Sequence, residues 1–220
     1  MKLNNFEIIT LDTRETRSRV ENYFKLLSDV EKQRAARFAN NELSQRFICA
    51  HGALREILSD YVGLPADQLI FNQNKYGKPY LIIDGQESYL QFNMSHSDHM
   101  LAIIISNDKA VGIDIEAVRE NQNLAKVSKQ YFSTLEYQQF IALPSAEQTA
   151  AFYRYWTCKE AFIKAIGQSL SYGLKNISVQ MHSDKPVALL YFDKDIMNDW
   201  KLEVISAPKG FALAVCSSNI

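Results

Sequence analysis

The 220-residue chain contains few cysteines, glycines and prolines and has no long apolar run. Its three cysteines, Cys49, Cys158 and Cys216, form neither a disulfide framework nor a zinc pattern, which favours a reducing cytoplasm. Eight glycines and five prolines exclude a collagen-like or low-complexity chain. No apolar segment approaches the roughly 20 residues that span a bilayer, and the first residues become polar too early for a secretory signal.

Neither sign of charge dominates the chain, because 24 basic and 25 acidic residues leave a net charge of −1. A general attraction to nucleic acid or to an anionic membrane is therefore not expected. The length and the 47% hydrophobic content suffice for one large domain or two small ones. We expect a globular cytoplasmic protein with no nucleic-acid or membrane partner.

The first third of the chain is interpreted as helical. Ser28 and Glu31 have the spacing of a capping box, which predicts a helix start. Apolar residues recur every three or four positions over residues 43–61, and Gly63 ends that second helix. Short β-rich segments follow, and they predict strands at Tyr80–Ile83, Leu90–Met94, Met100–Ser106 and Val111–Ile115.

The second half repeats the order of helices and then strands. The helices are predicted at Leu124–Phe132, from Ser133 (with Glu136 at capping-box spacing) and at Ala146–Ile166, and the strands at Ile177–Met181, Ala188–Phe192, Trp200–Ile205 and Phe211–Cys216. The polar break Asn107–Lys109 predicts a boundary between subdomains 1–106 and 107–220. Helices with antiparallel strands in each half indicate an α+β fold rather than a doubly wound sheet.

The string VGIDIE places two carboxylates on one predicted strand. Side chains alternate along a strand, so Asp114 and Glu116 point to one face while Ile113 and Ile115 point to the core. Two carboxylates on one face suit a hard cation such as Mg²⁺, which takes oxygen ligands and substrate phosphates. A strand edge with both carboxylates solvated remains the alternative.

The string YWTCKEAFIKAIG places a second charged group on a predicted helix. Glu160 and Lys164 are four residues apart and share a face with Trp156, and Lys159 lies alongside. Glu160 could complete a carboxylate metal site while the lysines hold phosphate oxygens. An exposed ion-paired helix surface explains the same spacing.

Further anion-binding candidates lie upstream. Ser95 and His96 of FNMSHS face opposite ways on a strand, which excludes a nucleophile–base pair and leaves a phosphate clasp or a structural turn. Basic residues could converge on an anion, or they could be ordinary surface cations. They are Lys78, next to Gly77 in the turn KYGKP, and Arg34, Arg37 and Arg46 on the early helices, whereas His51, His99 and His182 are interpreted as structural.

The strings KYGKP, FNMSHS, VGIDIE, YFSTLEY and WTCKEAFIKAIG follow one another over residues 75–167. In this order the chain resembles the 4′-phosphopantetheinyl transferases of the surfactin-synthetase-activating type, with their F-N-x-S-H-S, G-x-D-x-E and W-x-x-K-E-A-x-x-K signatures intact. The resemblance implies two similar α+β subdomains related by pseudo-twofold symmetry, with the active site in the cleft between them. It also implies a reaction in which coenzyme A donates its phosphopantetheine arm to a serine of an apo carrier protein and adenosine 3′,5′-bisphosphate is released.

The resemblance also implies a role for each matching residue. Asp114, Glu116 and Glu160 would hold Mg²⁺ (or Mn²⁺) against the diphosphate, and Lys159 and Lys164 would contact that diphosphate. Ser95 and His96 would bind the phosphates at the nucleoside end. The residues that would complete the adenosine and 3′-phosphate pocket are Gly77, Lys78, Arg34 and Arg46. Glu160 is the candidate base for the carrier serine, and residues 126–137 are a candidate carrier-docking surface. Two similar halves in one chain favour a monomer.

Two other functions remain possible from the residues alone. A Mg²⁺-dependent phosphohydrolase or nuclease would use the same carboxylates without a coenzyme A pocket. A non-catalytic binder of coenzyme A or carrier proteins would not need the set formed by Asp114, Glu116 and Glu160, which argues against it.

Overall fold

The same order of elements occurs twice along the chain: one or two strands, three helices, then antiparallel strands. The computed structural model describes residues 2–3, 6–120, 123–169, 172–180, 188–192 and 199–219. The first series is β1 (Lys2–Leu3), β2 (Phe6–Asp12), α1 (Val20–Leu26), α2 (Asp29–Ala36), α3 (Asn41–Val62), β3 (Ile70–Gln73), β4 (Pro79–Ile83), β5 (Gln86–Glu87), β6 (Gln91–Ser97) and β7 (Met100–Ser106). The second is β8 (Val111–Ala117), α4 (Leu124–Tyr131), α5 (Thr134–Ile141), α6 (Ser145–Ala165), β9 (Ile177–Gln180), β10 (Ala188–Phe192), β11 (Trp200–Ile205) and β12 (Phe211–Ser218).

Strand pairing repeats as well. The first sheet has the order β1-β2-β7-β6, and the corresponding sheet of the second half has the order β8-β12-β11. β2 pairs antiparallel with β7 as β8 pairs antiparallel with β12, and the smaller sheets β3-β4-β5 and β9-β10 occupy the same place in each series. The repeat confirms the predicted α+β class with two similar halves. The division at residues 106 and 107 stays a prediction.

The two predicted capping boxes are confirmed. Ser28 caps α2 and Ser133 caps α5, each accepting from the backbone N–H of the glutamate three residues later, whose carboxylate bonds back to the serine N–H. α3 ends at Gly63, which adopts φ +69°, a left-handed conformation that glycine reaches without steric cost.

One interpretation of the first third was wrong. Residues 6–12 form β2 in the middle of a sheet, between β1 and β7. The segment FEIITLD shows no clean alternation, since both faces of β2 are partly covered, so its period did not indicate a strand. The predicted strand residue Met181, like His182, lies outside the described residues. Within those residues, no helix has the length and apolar character that crossing a membrane requires.

Three clusters of buried side chains form the core. One packs α3 against β4, β6 and β7, and a second packs α6 against β9 and β12. The third joins the halves face to face, because Ile104 of β7, Ile113 of β8 and Val215 of β12 belong to one cluster and are each at most 1% exposed. Burying each such side chain contributes about 1.5–3 kcal/mol.

The contact between β8 and α6 depends on a glycine. A Cβ atom at Gly112 would lie 2.1 Å from the carbonyl oxygen of Ala161 and 2.3 Å from the backbone nitrogen of Ala165. The strand therefore lies directly against the helix backbone, which places Asp114 of the strand beside Glu160 and Lys164 of the helix.

We predict that Gly112→Ala lowers the free energy of unfolding by about 3 kcal/mol, the upper end for an overpacked core, because backbone atoms cannot rotate aside. Urea denaturation measures the change. The control is Gly210→Ala, where nothing lies within 4 Å of the added Cβ and only the φ of +87° is unfavourable; we expect it to cost about 1 kcal/mol. Equal losses in both variants would contradict the close approach.

Candidate active site

Asp114 is buried on β8 and, within the described residues, is hydrogen-bonded through one of its two oxygens. Its Oδ1 accepts from Ser95 Oγ at 2.8 Å and from Lys164 Nζ at 2.6 Å. Its Oδ2 is also buried and has no hydrogen-bond partner in the described part of the chain. The predicted alternation along β8 is confirmed, since Ile113 and Ile115 lie in the core.

Three carboxylates, those of Asp114, Glu116 and Glu160, lie near enough where β8 meets α6 to affect one another's pKa values. Burial, together with the charges of Asp114 and Glu116, raises the pKa of Glu160 to about 7, against the opposing effect of Lys164. Burial also raises the pKa of Asp114, although Lys164 and Ser95 counteract it. The structure therefore brings together the predicted residues Asp114, Glu116, Glu160 and Lys164, and the Lys164 ammonium contacts Asp114.

The donor chemistry of this cluster suits a hard cation. Carboxylate oxygens are the ligands that Mg²⁺ prefers, and the unpartnered Oδ2 of Asp114 is a buried acceptor that a cation would satisfy. In the structure, however, the described residues contain no group of three or more His, Cys, Asp or Glu side chains arranged to hold a metal. The positive charge that Asp114 contacts is that of Lys164.

A cavity of about 1110 Å³ lies on the other face of β6, bordered by α2, α3 and the β3–β4 hairpin. Because side chains alternate along β6, His96 lines the cavity while Ser95 points to Asp114. Burial and the nearby charges of Lys164, His51, Arg34 and Arg46 lower the pKa of His96. Of the residues predicted for the nucleoside end, the cavity lining includes Arg34, Arg46, Gly77 and His96.

Two of these residues are held by local geometry. Arg46 donates to the backbone oxygen of Asp98 at 3.0 Å and to Glu42 Oε1 at 3.0 Å, which fixes the guanidinium at the cavity rim. Gly77 adopts φ +90°, so the KYGKP turn requires a residue without a side chain there.

The cavity lining also includes a charged cluster of Glu31, His51 and Arg55 that the sequence pattern did not predict. Glu31 Oε1 accepts from His51 Nδ1 at 3.1 Å, and Glu31 Oε2 accepts from Arg55 Nε at 2.9 Å. Burial alone would raise the pKa of Glu31, but the bonds from His51, Arg55 and Ser28 lower it to about 2. His51 stacks on Phe47 with ring centroids 4.0 Å apart and bonds to Glu31, which agrees with the structural role expected of it, and its ring also lines the cavity. The sequence feature that could have indicated this cluster is the four-residue spacing of Phe47, His51 and Arg55, which places them on one helix face.

Lys159 does not lie where the sequence placed it. Its side chain is fully buried, its ammonium pairs with Glu136, and it donates to the backbone oxygen of Ile177 at 2.8 Å. Neighbouring helix residues point about 100° apart, so when Glu160 faces β8, Lys159 faces α5 and β9. This placement corrects the expectation that Lys159 contacts the diphosphate.

Lys78 also differs from its expected role. Its Nζ donates to the backbone oxygens of Val111 at 3.0 Å and Ala165 at 2.9 Å, and the residue does not line the cavity. Burial lowers the pKa of this ammonium to about 8. Lys78 therefore joins the KYGKP turn of the first half to the start of β8 and the end of α6.

Family models match both halves of the chain. Residues 110–216 match the model described as 4′-phosphopantetheinyl transferase superfamily, and residues 14–108 match the model described as 4′-phosphopantetheinyl transferase, N-terminal. The 4′-phosphopantetheinyl transferase HetI of a Nostoc species is 35% identical over 181 residues, which is 82% of this chain and 75% of that protein. The 4′-phosphopantetheinyl transferase psf-1 of Bacillus pumilus is 30% identical over 217 residues, covering 99% of this chain and 90% of that protein.

A solved structure gives a weaker likeness. The holo-(acyl-carrier-protein) synthase from Bacillus anthracis, in complex with CoA (3′,5′-ADP), aligns with 50% of this chain and 94% of that chain. The identity is 23% and the TM-score is 0.42, too low a likeness to assign the fold.

We predict that Lys159→Met acts on stability rather than on substrate binding. Removing one partner of a buried ion pair leaves the other uncompensated, so the free energy of unfolding falls by about 3–5 kcal/mol, as urea denaturation would measure. The double variant Lys159→Met/Glu136→Gln should recover part of that loss. A tenfold rise in the KM for coenzyme A without loss of stability would contradict the placement.

Acid titration tests the Glu31 cluster. Because the folded-state pKa of Glu31 is about 2, below its ordinary value of 4.5, its stabilising contribution is complete above pH 4.5 and disappears as the pH falls towards 2. We predict that Glu31→Gln costs about 2 kcal/mol at pH 7. The difference in stability between parent and variant should shrink below pH 4.5, and a constant difference would contradict the assignment.

Proposed function

We propose residue roles for the reaction of this chain, which belongs to the 4′-phosphopantetheinyl transferase superfamily. The chain transfers the phosphopantetheine arm of coenzyme A to an apo carrier protein. In chemical terms, a serine oxygen of the carrier attacks the phosphorus that bears the pantetheine, and adenosine 3′,5′-bisphosphate leaves. The observation that supports the proposed site most directly is the partly buried cluster of Asp114, Glu116, Glu160 and Lys164, near a cavity whose lining includes the basic residues predicted for the nucleoside end.

Asp114, Glu116 and Glu160 would hold Mg²⁺, or Mn²⁺ in its place. The unpartnered Oδ2 of Asp114 and the mutual repulsion among the three groups support this donor set. Such a cation, when bound, neutralises the diphosphate and polarises its oxygens.

Lys164 supplies the charge that the leaving group needs. Its ammonium lies 2.6 Å from Asp114 and 2.9 Å from Ser95, at the junction of the carboxylates and β6. From there it would donate to the bridging oxygen as negative charge develops on the departing bisphosphate. Positioning and charge neutralisation are the main requirements of phosphoryl-type transfer.

Glu160 is the proposed base for the carrier serine. A pKa of about 7 before any cation binds suits proton acceptance near neutral pH. A bound cation would lower that pKa, so Glu160 then acts as a base directly or through a water.

The cavity would take the nucleoside end of coenzyme A. His96, Arg34 and Arg46 surround it with donors for the 3′-phosphate, and Gly77 lets the chain approach the base closely. Ser95 is bonded to Asp114 and Lys164, which favours a role in arranging the carboxylates over direct phosphate contact.

We also propose the location, the oligomeric state and the subdomains of the protein. We place the protein in the cytoplasm, consistent with three buried free cysteines, and as a monomer, because both sides of the site come from one chain. The subdomains would be residues 1–106 and 107–220, and the carrier would dock near residues 126–137. Neither a nucleic acid nor a membrane is a proposed partner.

A carrier-loading assay tests this function. With coenzyme A, Mg²⁺ and an apo carrier protein, we expect the carrier to gain the mass of one phosphopantetheine. Asp114→Ala and Glu160→Gln should each lower the rate by roughly 100-fold or more, because each removes a carboxylate that would hold the cation that neutralises the reacting diphosphate. Glu147→Gln, on the exposed first turn of α6, is the matched control and should leave the rate unchanged.

Distinct outcomes separate the alternatives. Cleavage of coenzyme A with no mass gain on any of several apo carriers would indicate a phosphohydrolase. Binding of coenzyme A without either reaction would indicate a binder. An unchanged rate and pH profile in Glu160→Gln would remove Glu160 from the mechanism.

A further inference from the structure

β6 presents polar side chains at every second residue to the edge of β8. Among the described strands, β8 is an outer strand of its sheet, with β12 on its other side, so no strand of that set pairs with its outward N–H groups. Asn93 Oδ1 accepts from the backbone nitrogen of Ile113 at 3.1 Å, and Ser97 Oγ accepts from that of Ala117 at 3.0 Å. These side chains of the first half thereby accept hydrogen bonds from backbone N–H groups at the strand edge of the second half.

The two serines of this series also bond to the carboxylates on β8. Ser95 Oγ donates to Asp114 Oδ1 at 2.8 Å, and Ser97 Oγ donates to Glu116 Oε2 at 2.7 Å. The serines are two residues apart on β6 and the carboxylates two residues apart on β8, so the strand period aligns both pairs. A hydroxyl carries a single hydrogen, so each serine fixes one oxygen of its carboxylate.

We infer that Ser97 is a positioning residue that orients Glu116 towards the cation site shared with Asp114. Ser97 accepts from Ala117 while it donates to Glu116, which leaves its hydroxyl one orientation. Glu116 is only partly buried, and the negative charges of Asp114 and Glu160 repel it. Without the Ser97 hydroxyl, its side chain is free to turn to solvent, away from the site.

The inference rests on the proposed cation-binding set and is separable from it. Ser97 could instead matter only because it satisfies the edge of β8. Asn93→Ala provides the matched control, because Asn93 bonds to the same strand edge without bonding to a carboxylate. Both Ser97→Ala and Asn93→Ala should lower the melting temperature, but only Ser97→Ala should weaken cation binding.

The experiment measures Mn²⁺ binding by electron paramagnetic resonance at saturating coenzyme A and without carrier, because Asn93 also lines the cavity. Loss of an outer partner of a metal ligand typically weakens metal affinity 10–100-fold, and we expect Ser97→Ala to raise the Kd by about that factor. Ser97→Thr keeps the hydroxyl and should restore the parent's affinity, and Ser97→Cys, a weak donor, should lie between them. In the loading assay, the Mg²⁺ concentration for half-maximal rate should rise while the rate at saturating Mg²⁺ approaches that of the parent.

An unchanged Kd in Ser97→Ala, with a loss of stability like that of Asn93→Ala, would overturn the inference and leave the cation site intact. Should Ser97→Ala fail to fold, equal Kd values for the parent, Ser97→Thr and Ser97→Cys would overturn it as well. If the parent binds no Mn²⁺, or if Asp114→Ala binds it as well as the parent, the proposed ligand set fails and the inference falls with it.

Discussion

The contact between Lys164 and Asp114 is the interaction on which the site depends. Burying several carboxylates at one point is unfavourable unless a positive charge lies among them. The backbone contact at Gly112 brings β8 and α6 close enough for the ammonium to reach Asp114 at 2.6 Å. Burial, followed by the charges of Asp114 and Glu116, raises the pKa of Glu160 against the opposing effect of Lys164. The cation proposed for this site would add a second positive charge among the three carboxyl groups.

β6 links the two parts of the site because its side chains alternate. One face carries His96 to the cavity in the first half, and the other carries Ser95 and Ser97 to the carboxylates of the second half. A shift of β6 by one residue in its strand register would exchange these faces. His96 would then leave the cavity, and the two serines would leave the carboxylates. The short motif FNMSHS thus encodes two different surfaces.

The sequence predicted what local periodicity determines. Strand alternation placed Asp114 and Glu116 together, and the capping boxes at Ser28 and Ser133 located two helix starts. Periodicity gives the angle between two side chains on a helix, but it does not tell which face of the helix another element covers. The prediction that Lys159 faces the cleft is wrong for this reason, because its ammonium pairs with Glu136 in the core. Contacts between distant residues were equally inaccessible: Glu31 meets His51 and Arg55, and Lys78 reaches Ala165 across 87 residues.

The repeated topology has a consequence for the direction in which a substrate enters. The long helices α3 and α6 occupy matching places in the two halves, yet α3 presents Arg46 and His51, whereas α6 presents Glu160 and Lys164. The two halves thus share a topology but differ in the charges that their long helices carry. A molecule with unlike ends can fit between them in one sense only, because the two long helices present different charged groups to it.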